Sequence, residues 1–192
     1  MNTALLLLIN GLAGRSALLD AVMVFSARWL LFGVGLLLAA CLVVLVRERS
    51  WRSSAWIAVT MVVGVVLLQL AGLWHPDHRP FMDHAVHQLV AHAPGASFPS
   101  DHTTAAATMA LAVLAFSRFR RTGLIMLGLA VVIGFSRVFV GVHYPLDIAG
   151  GFAVALLSWA LVAATRRWWL RRPAARTAGD DGAAGQVPDL AG

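Results

Sequence analysis

The sequence predicts an all-α, polytopic membrane helix bundle: about five transmembrane helices, preceded by an N-terminal interfacial helix. Three observations predict it. Of 192 residues, 59% are hydrophobic and only 12% charged, and the mean hydropathy is +0.78, far from the make-up of a soluble domain of this length. The apolar residues are gathered into long runs of the length a bilayer requires. The charges collect between those runs, and all fifteen basic residues are Arg. In lipid the backbone must satisfy its own hydrogen bonds, so runs of this kind read as helices.

Residues 1–27 hold short apolar pieces broken by Asn10, Arg15 and Asp20. A charge at mid-bilayer is costly, so this segment is expected to lie at the interface. A broken first helix packed on the bundle is the alternative. Trp29 to Val46 is the first span. It is expected to act as an uncleaved signal, since the N-terminus has neither an early basic residue nor a long apolar core. Ala55 to Trp74 is the second, interrupted only by Thr60 and Gln69. A polar loop follows to Asp101, with four prolines and the histidines His75, His78, His84, His87 and His92. Within it, Phe81 to Ala93 is expected to form a short helix. Thr103 to Phe116 is the third span, with Ser100 as its N-cap and Asp101 at the positive end of its dipole. Gly123 to Phe135 is the fourth. Ile148 to Ala164 is the fifth, and its helix starts as early as Pro145, a good first-turn residue. Residues 166–172 combine Arg and Trp as an interfacial belt, and 28–172 form one membrane domain. Residues 173–192, rich in Ala, Gly, Asp and Pro, are expected to be a disordered cytoplasmic tail.

Arginine sets the topology. Clusters at 47–52, 117–122 and 166–176 fall on one side by alternation of five spans, and the positive-inside tendency makes that side cytoplasmic. Segments 75–102 and 136–147 then face outward. This distribution also accounts for the formal charge of +6 without nucleic acid as a partner. Cys41 lies in an apolar run, so one chain has no disulfide and no cysteine-based metal site. Trp29, Trp51, Trp56, Trp74, Trp168 and Trp169 fall near span ends as an aromatic belt. The Gly150-Gly151 pair suits close helix packing.

The two outward segments carry every polar cluster of note: Arg79, Ser100, Asp101, His102, Ser136, Arg137, His143 and Asp147. Arg forks bind phosphate oxygens and keep their charge. The amides that open the third span add donors. Two histidines on separate loops allow one nucleophile and one acid. Asp147, four residues after His143, is spaced to hold one imidazole nitrogen and leave the other free. The pattern is a phosphate-handling site at the membrane edge. Blander readings stand beside it. His143 with Asp147 also fits a helix cap, and Arg79 an interfacial anchor. The His-x2-His pairs at 75/78 and 84/87 suggest a metal site, but no acidic or Cys partner has ligand spacing.

Ser136-Arg137-x5-His143-x3-Asp147, Pro99-Ser100-Asp101-His102 and Arg79-Pro80 together resemble the three motifs of the type 2 phosphatidic acid phosphatase superfamily, which also includes the vanadium haloperoxidases. The resemblance spans about residues 70–165 and is greatest to bacterial undecaprenyl-diphosphatases of the bacitracin-resistance type. Two positions depart from the pattern. Asp101 replaces a Gly, and Gly72 stands where the family has Lys, with His75 and His78 the nearest stand-ins. The resemblance implies a metal-independent, cofactor-free hydrolysis of a polyprenyl diphosphate at the outer face of the bacterial cytoplasmic membrane. His143 would be the nucleophile, Asp147 its orienting partner, and His102 the acid and base. Arg79, Ser100, Asp101, Ser136 and Arg137 would hold phosphate. Another lipid phosphate, such as phosphatidic acid or phosphatidylglycerophosphate, is the alternative substrate. A non-catalytic, His-rich metal-binding protein is the alternative of another class. Oligomeric state and lipid chain length are left open.

Overall fold

A computed structural model describes residues 1–74 and 77–171. The expected tail and His75 lie outside the described residues. The chain forms α1 (Asn2–Asn10), α2 (Ala17–Arg47), α3 (Trp51–Trp74), α4 (Pro80–Asp83), α5 (Asp101–Phe116), α6 (Arg120–Phe139) and α7 (Pro145–Arg171). Four of these, α2, α3, α6 and α7, are long and apolar enough to cross a membrane. The fifth, α5, has 16 residues, about 24 Å at 1.5 Å per residue.

The short helix is the centre of the bundle and packs on α2, α3, α6 and α7. Its sequence explains why. Ala106, Ala107, Ala110 and Ala112 are fully buried, and such small side chains let neighbouring backbones come close. The surrounding helices turn Phe32, Leu36, Val62 and Leu124 outward, as a lipid-facing surface requires.

Helix α2 begins at Ala17, within the segment expected to lie at the interface. Ser16 caps it through Leu19 N, at 3.4 Å, and Asp20 accepts from Gly14 N at 3.1 Å. Its 31 residues span about 46 Å, more than the roughly 30 Å hydrocarbon core. The first turns can therefore project past the core, and Asp20 need not sit at mid-bilayer. Only α1 remains a separate short helix, with Leu6 and Asn10 buried against α6 and α7.

The expected helix over Phe81 to Ala93 is also corrected. Helix α4 ends at Asp83, and His84 is extended. Long-range backbone bonds take over. Leu89 N donates to Val140 O at 3.2 Å and Ser97 N to Asp77 O at 2.7 Å, while His78 and Ala96 form a β-bridge. These fix the loop across the end of the bundle that holds the α6–α7 turn. The opposite end carries the Arg residues of 47–52, 118–121 and 166–171, with Trp51, Trp56, Trp168 and Trp169. There Arg118 pairs with Glu48, and Arg52 lies 5.3 Å from the ring centre of Trp169.

Candidate active site

Residues 145–147 open α7 with Pro145 in first position and Asp147 in the first turn. That turn puts Asp147 back under His143. Its Oδ2 receives three donors: Ser97 Oγ at 2.5 Å, Tyr144 N at 2.7 Å and His143 Nδ1 at 3.3 Å. His143 is 1% exposed. On its other side Nε2 lies 3.3 Å from Arg79 Nη1. A guanidinium nitrogen can only donate, so Nε2 carries the lone pair and Nδ1 the hydrogen. The tautomer follows from the partners: Asp147 holds Nδ1–H, and the lone pair on Nε2 faces the arginine.

Two arginines frame this nitrogen. Arg79 ends the segment before α4 and also donates to Val142 O at 3.4 Å. Arg137 lies in the last turn of α6 and donates through Nη1 to Ala27 O of α2 at 3.3 Å. Both are buried. Among the described residues, Arg79 Nε and Arg137 Nε and Nη2 have no hydrogen-bond partner. A buried donor left unpaired is costly, and three on two cations suit an anion. Burial pulls the Arg79 guanidinium below its ordinary value, with Asp101 and Asp147 opposing; it remains a cation.

Helix α5 supplies the remaining groups. Ser100 is its N-cap residue, as expected, but its hydroxyl caps no amide. Ser100 Oγ accepts from Thr103 Oγ1 at 3.1 Å, so its own hydrogen and the opening amides of α5 are available to a ligand. Ser100 N donates to Asp147 O at 3.1 Å, which joins the second and third motifs. His102 is half-buried in the first turn, within electrostatic reach of Arg137, His143, His92 and Arg79. Asp101 is exposed and attracts Arg79. Ser136 is buried, and its hydroxyl donates to Ile133 O of its own helix at 2.7 Å; that hydrogen is committed away from the arginines. The close approach of α7 depends on Gly150, where a Cβ would fall 2.2 Å from Phe98 Cε2.

Three contributors escaped the sequence reading. Ser97 stands two residues before the Pro99-Ser100-Asp101-His102 motif; it is 1% exposed and bonds Asp147. Asn10 looked like a mere interruption in an apolar stretch. Its Nδ2 donates to His87 O at 3.0 Å and Phe139 O at 2.8 Å, and its Oδ1 accepts from His87 N at 2.8 Å. It ties α1, the histidine loop and the end of α6 together. Gly141 makes this possible with φ +77, in the left-handed region, where a Cβ would fall 3.0 Å from His87 O. His92 is the third, with its ring centre 6.5 Å from that of His143.

Among the described residues, the other loop histidines do not converge. His78 lies 3.4 Å from Asp83, and His84 stands edge-on to Tyr144. Among the described residues, no three His, Cys, Asp or Glu side chains are grouped to hold a metal ion. Gly72, at the lysine position, lines a cleft of about 290 Å³ with Gln69, Leu73, Phe98, Pro99 and Asp101.

Burial is the main force lowering the His143 pKa to about 4; Arg137 and Arg79 add to it, while Asp147 opposes it. The unfolded chain takes up this proton near pH 6.5, the folded one near pH 4. The stability contributed by a neutral His143 is thus complete above pH 6.5 and lost as the pH falls towards 4. We expect the thermal midpoint in detergent to drop over that window, and His143→Gln to flatten part of the drop. An identical drop in both proteins would contradict the buried neutral imidazole.

The sequence matches the PAP2 superfamily over residues 53–171. It is 36% identical over 157 residues to undecaprenyl-diphosphatase BcrC of Bacillus subtilis, covering 82% of this chain and 80% of that protein. It is 35% identical to the putative undecaprenyl-diphosphatase YbjG of Escherichia coli, covering 82% and 78%. Among solved structures, Aquifex aeolicus LpxE superposes with a TM-score of 0.69 at 26% identity, covering 85% of this chain and 94% of that one.

Proposed function

The chain belongs to the PAP2 superfamily, and from that premise we propose that it hydrolyses undecaprenyl diphosphate at the outer face of a bacterial cytoplasmic membrane. The phosphatase chemistry is carried by one observation: His143 Nε2, tautomer fixed by Asp147, beside two buried arginines with unpaired N–H groups. The choice of substrate is supported by the similarity to undecaprenyl-diphosphatases over about four fifths of each chain. The outward orientation is supported by the Arg clusters gathered at the opposite end.

In the first step the terminal phosphate takes Arg79, Arg137, Ser100 and the opening amides of α5. Drawing Arg79 onto phosphate uncovers the Nε2 lone pair. Nε2 attacks the terminal phosphorus, and an N–P bond forms as the bond to the bridging oxygen breaks. The electron pair leaves on that oxygen, which takes a proton from His102, charged once the substrate's negative charge offsets the burial and the arginines that disfavour its cation in the empty site. Asp147 balances the charge on the imidazole. In the second step His102 takes a proton from water, whose oxygen attacks phosphorus; the N–P bond breaks and inorganic phosphate leaves. The reaction is metal-independent: preset donors hold the charge on the equatorial oxygens.

The test is phosphate release by detergent-purified protein, with EDTA present, from undecaprenyl diphosphate, phosphatidic acid and phosphatidylglycerophosphate. We expect the polyprenyl diphosphate to give the highest kcat/KM and EDTA to leave it unchanged. A preference for either glycerolipid would replace the substrate, and loss of activity with EDTA would replace the metal-independent mechanism.

A further inference from the structure

Nothing in the reaction above uses His92. It sits in the loop before α5, half-buried, with its ring plane at 75° to that of His143. Arg79 from the segment before α4, Arg137 from α6 and Asp101 from α5 act on it electrostatically, as does His102. Its Nδ1 lies 3.2 Å from Ala93 O. A carbonyl can only accept, so Nδ1 bears the hydrogen and Nε2 the lone pair. Burial, then Arg79 and Arg137, hold the ring below the usual imidazole value, against the Ala93 bond and Asp101. A neutral Nε2 is an acceptor, and so is a phosphate oxygen.

A diphosphate ester reverses that balance. Its reacting phosphate occupies Arg79 and Arg137, the two charges that oppose a proton on His92. Its other phosphate brings further negative charge into a site with no lysine to meet it. A nearby anion favours the imidazolium, and the protonated Nε2 then becomes a charge-assisted donor. A monophosphate ester offers no second phosphate and leaves the ring as it was.

We propose that His92 takes up a proton as a diphosphate ester binds, holds its second phosphate, and so makes the site select diphosphates over monophosphates. This rests on the phosphatase reading above and adds the group that sets its specificity.

The experiment compares wild type, His92→Ala and His92→Gln as full-length protein in detergent. Substrates are undecaprenyl diphosphate and phosphatidic acid, and competitive inhibitors are inorganic pyrophosphate and orthophosphate. For His92→Ala we expect KM for the diphosphate to rise about tenfold with kcat within about twofold. Its KM for phosphatidic acid should stay unchanged. Inhibition by pyrophosphate should weaken in step, and inhibition by orthophosphate should not. His92→Gln, which keeps an N–H donor, should recover part of the loss. It should also abolish the rise of the wild-type KM for the diphosphate with increasing pH. Equal losses on both substrates and both inhibitors, or no loss, would overturn the proposal. Wild type that cleaves only monophosphates would instead overturn the substrate reading. The pyrophosphate and orthophosphate constants would then decide on His92 by themselves.

Discussion

His143→Gln should abolish turnover, with a loss of at least ~10⁴-fold in single-turnover phosphate release. Glutamine approximates the reach of imidazole and keeps a polar group near Asp147, so the fold should survive. What it lacks is a lone pair able to form and release an N–P bond. Two serines of the pocket are engaged elsewhere: Ser97 Oγ is bound to Asp147 at 2.5 Å, and Ser136 Oγ to Ile133 O at 2.7 Å. Wild type mixed with substrate labelled in its terminal phosphate should yield a labelled protein that is labile in acid and stable in base, as a phosphoramidate is. The variant should yield none. A variant retaining a tenth of wild-type activity, or a label stable in acid, would remove His143 from the nucleophile's role.

Arg137→Ala should separate activity from stability. The guanidinium is 2% exposed, makes one bond, to Ala27 O, and leaves Nε and Nη2 without partners among the described residues. A buried cation so poorly paired stabilises the empty protein little. On the proposed mechanism those donors meet charge that arrives with substrate and grows in the transition state. Loss of one such donor group typically costs ~10²–10³ in kcat. We expect that fall, with a thermal midpoint unchanged or raised. Arg137→Lys keeps a charge but not the fork, and should stay at least about tenfold below wild type. A parallel loss of stability and activity would make Arg137 a structural anchor.

Much of this protein is written locally in its sequence. Composition and run length determine a membrane bundle, because lipid accepts only helices or closed barrels. The pairing of His143 with Asp147 is legible because four residues make one helical turn, and Pro145 marks where that turn starts. One end of the bundle collects the three motifs, as the alternation of spans predicts. The reading fails where contacts are non-local. The sequence leaves residues 1–27 open, and the fold starts α2 at Ala17, in a helix of 31 residues whose first turns can extend beyond the core. Phe81 to Ala93 has helical periodicity, but the backbone groups of that loop find partners across the bundle at Val140 and Asp77.

What only the tertiary structure decided are the contacts that finish the site. Ser97 meets Asp147 across 50 residues, Arg137 meets Ala27 across 110, and Asn10 meets Phe139 across 129. No period or motif announces such pairs. They are chosen because a buried donor must find an acceptor, and packing around the small face of α5 determines which acceptor is in reach. Sequence picks out the polar groups that gather at the site; the fold determines which nitrogen of His143 carries the lone pair, which arginine donors lack a partner among the described residues, and which histidine of the loop stands beside them.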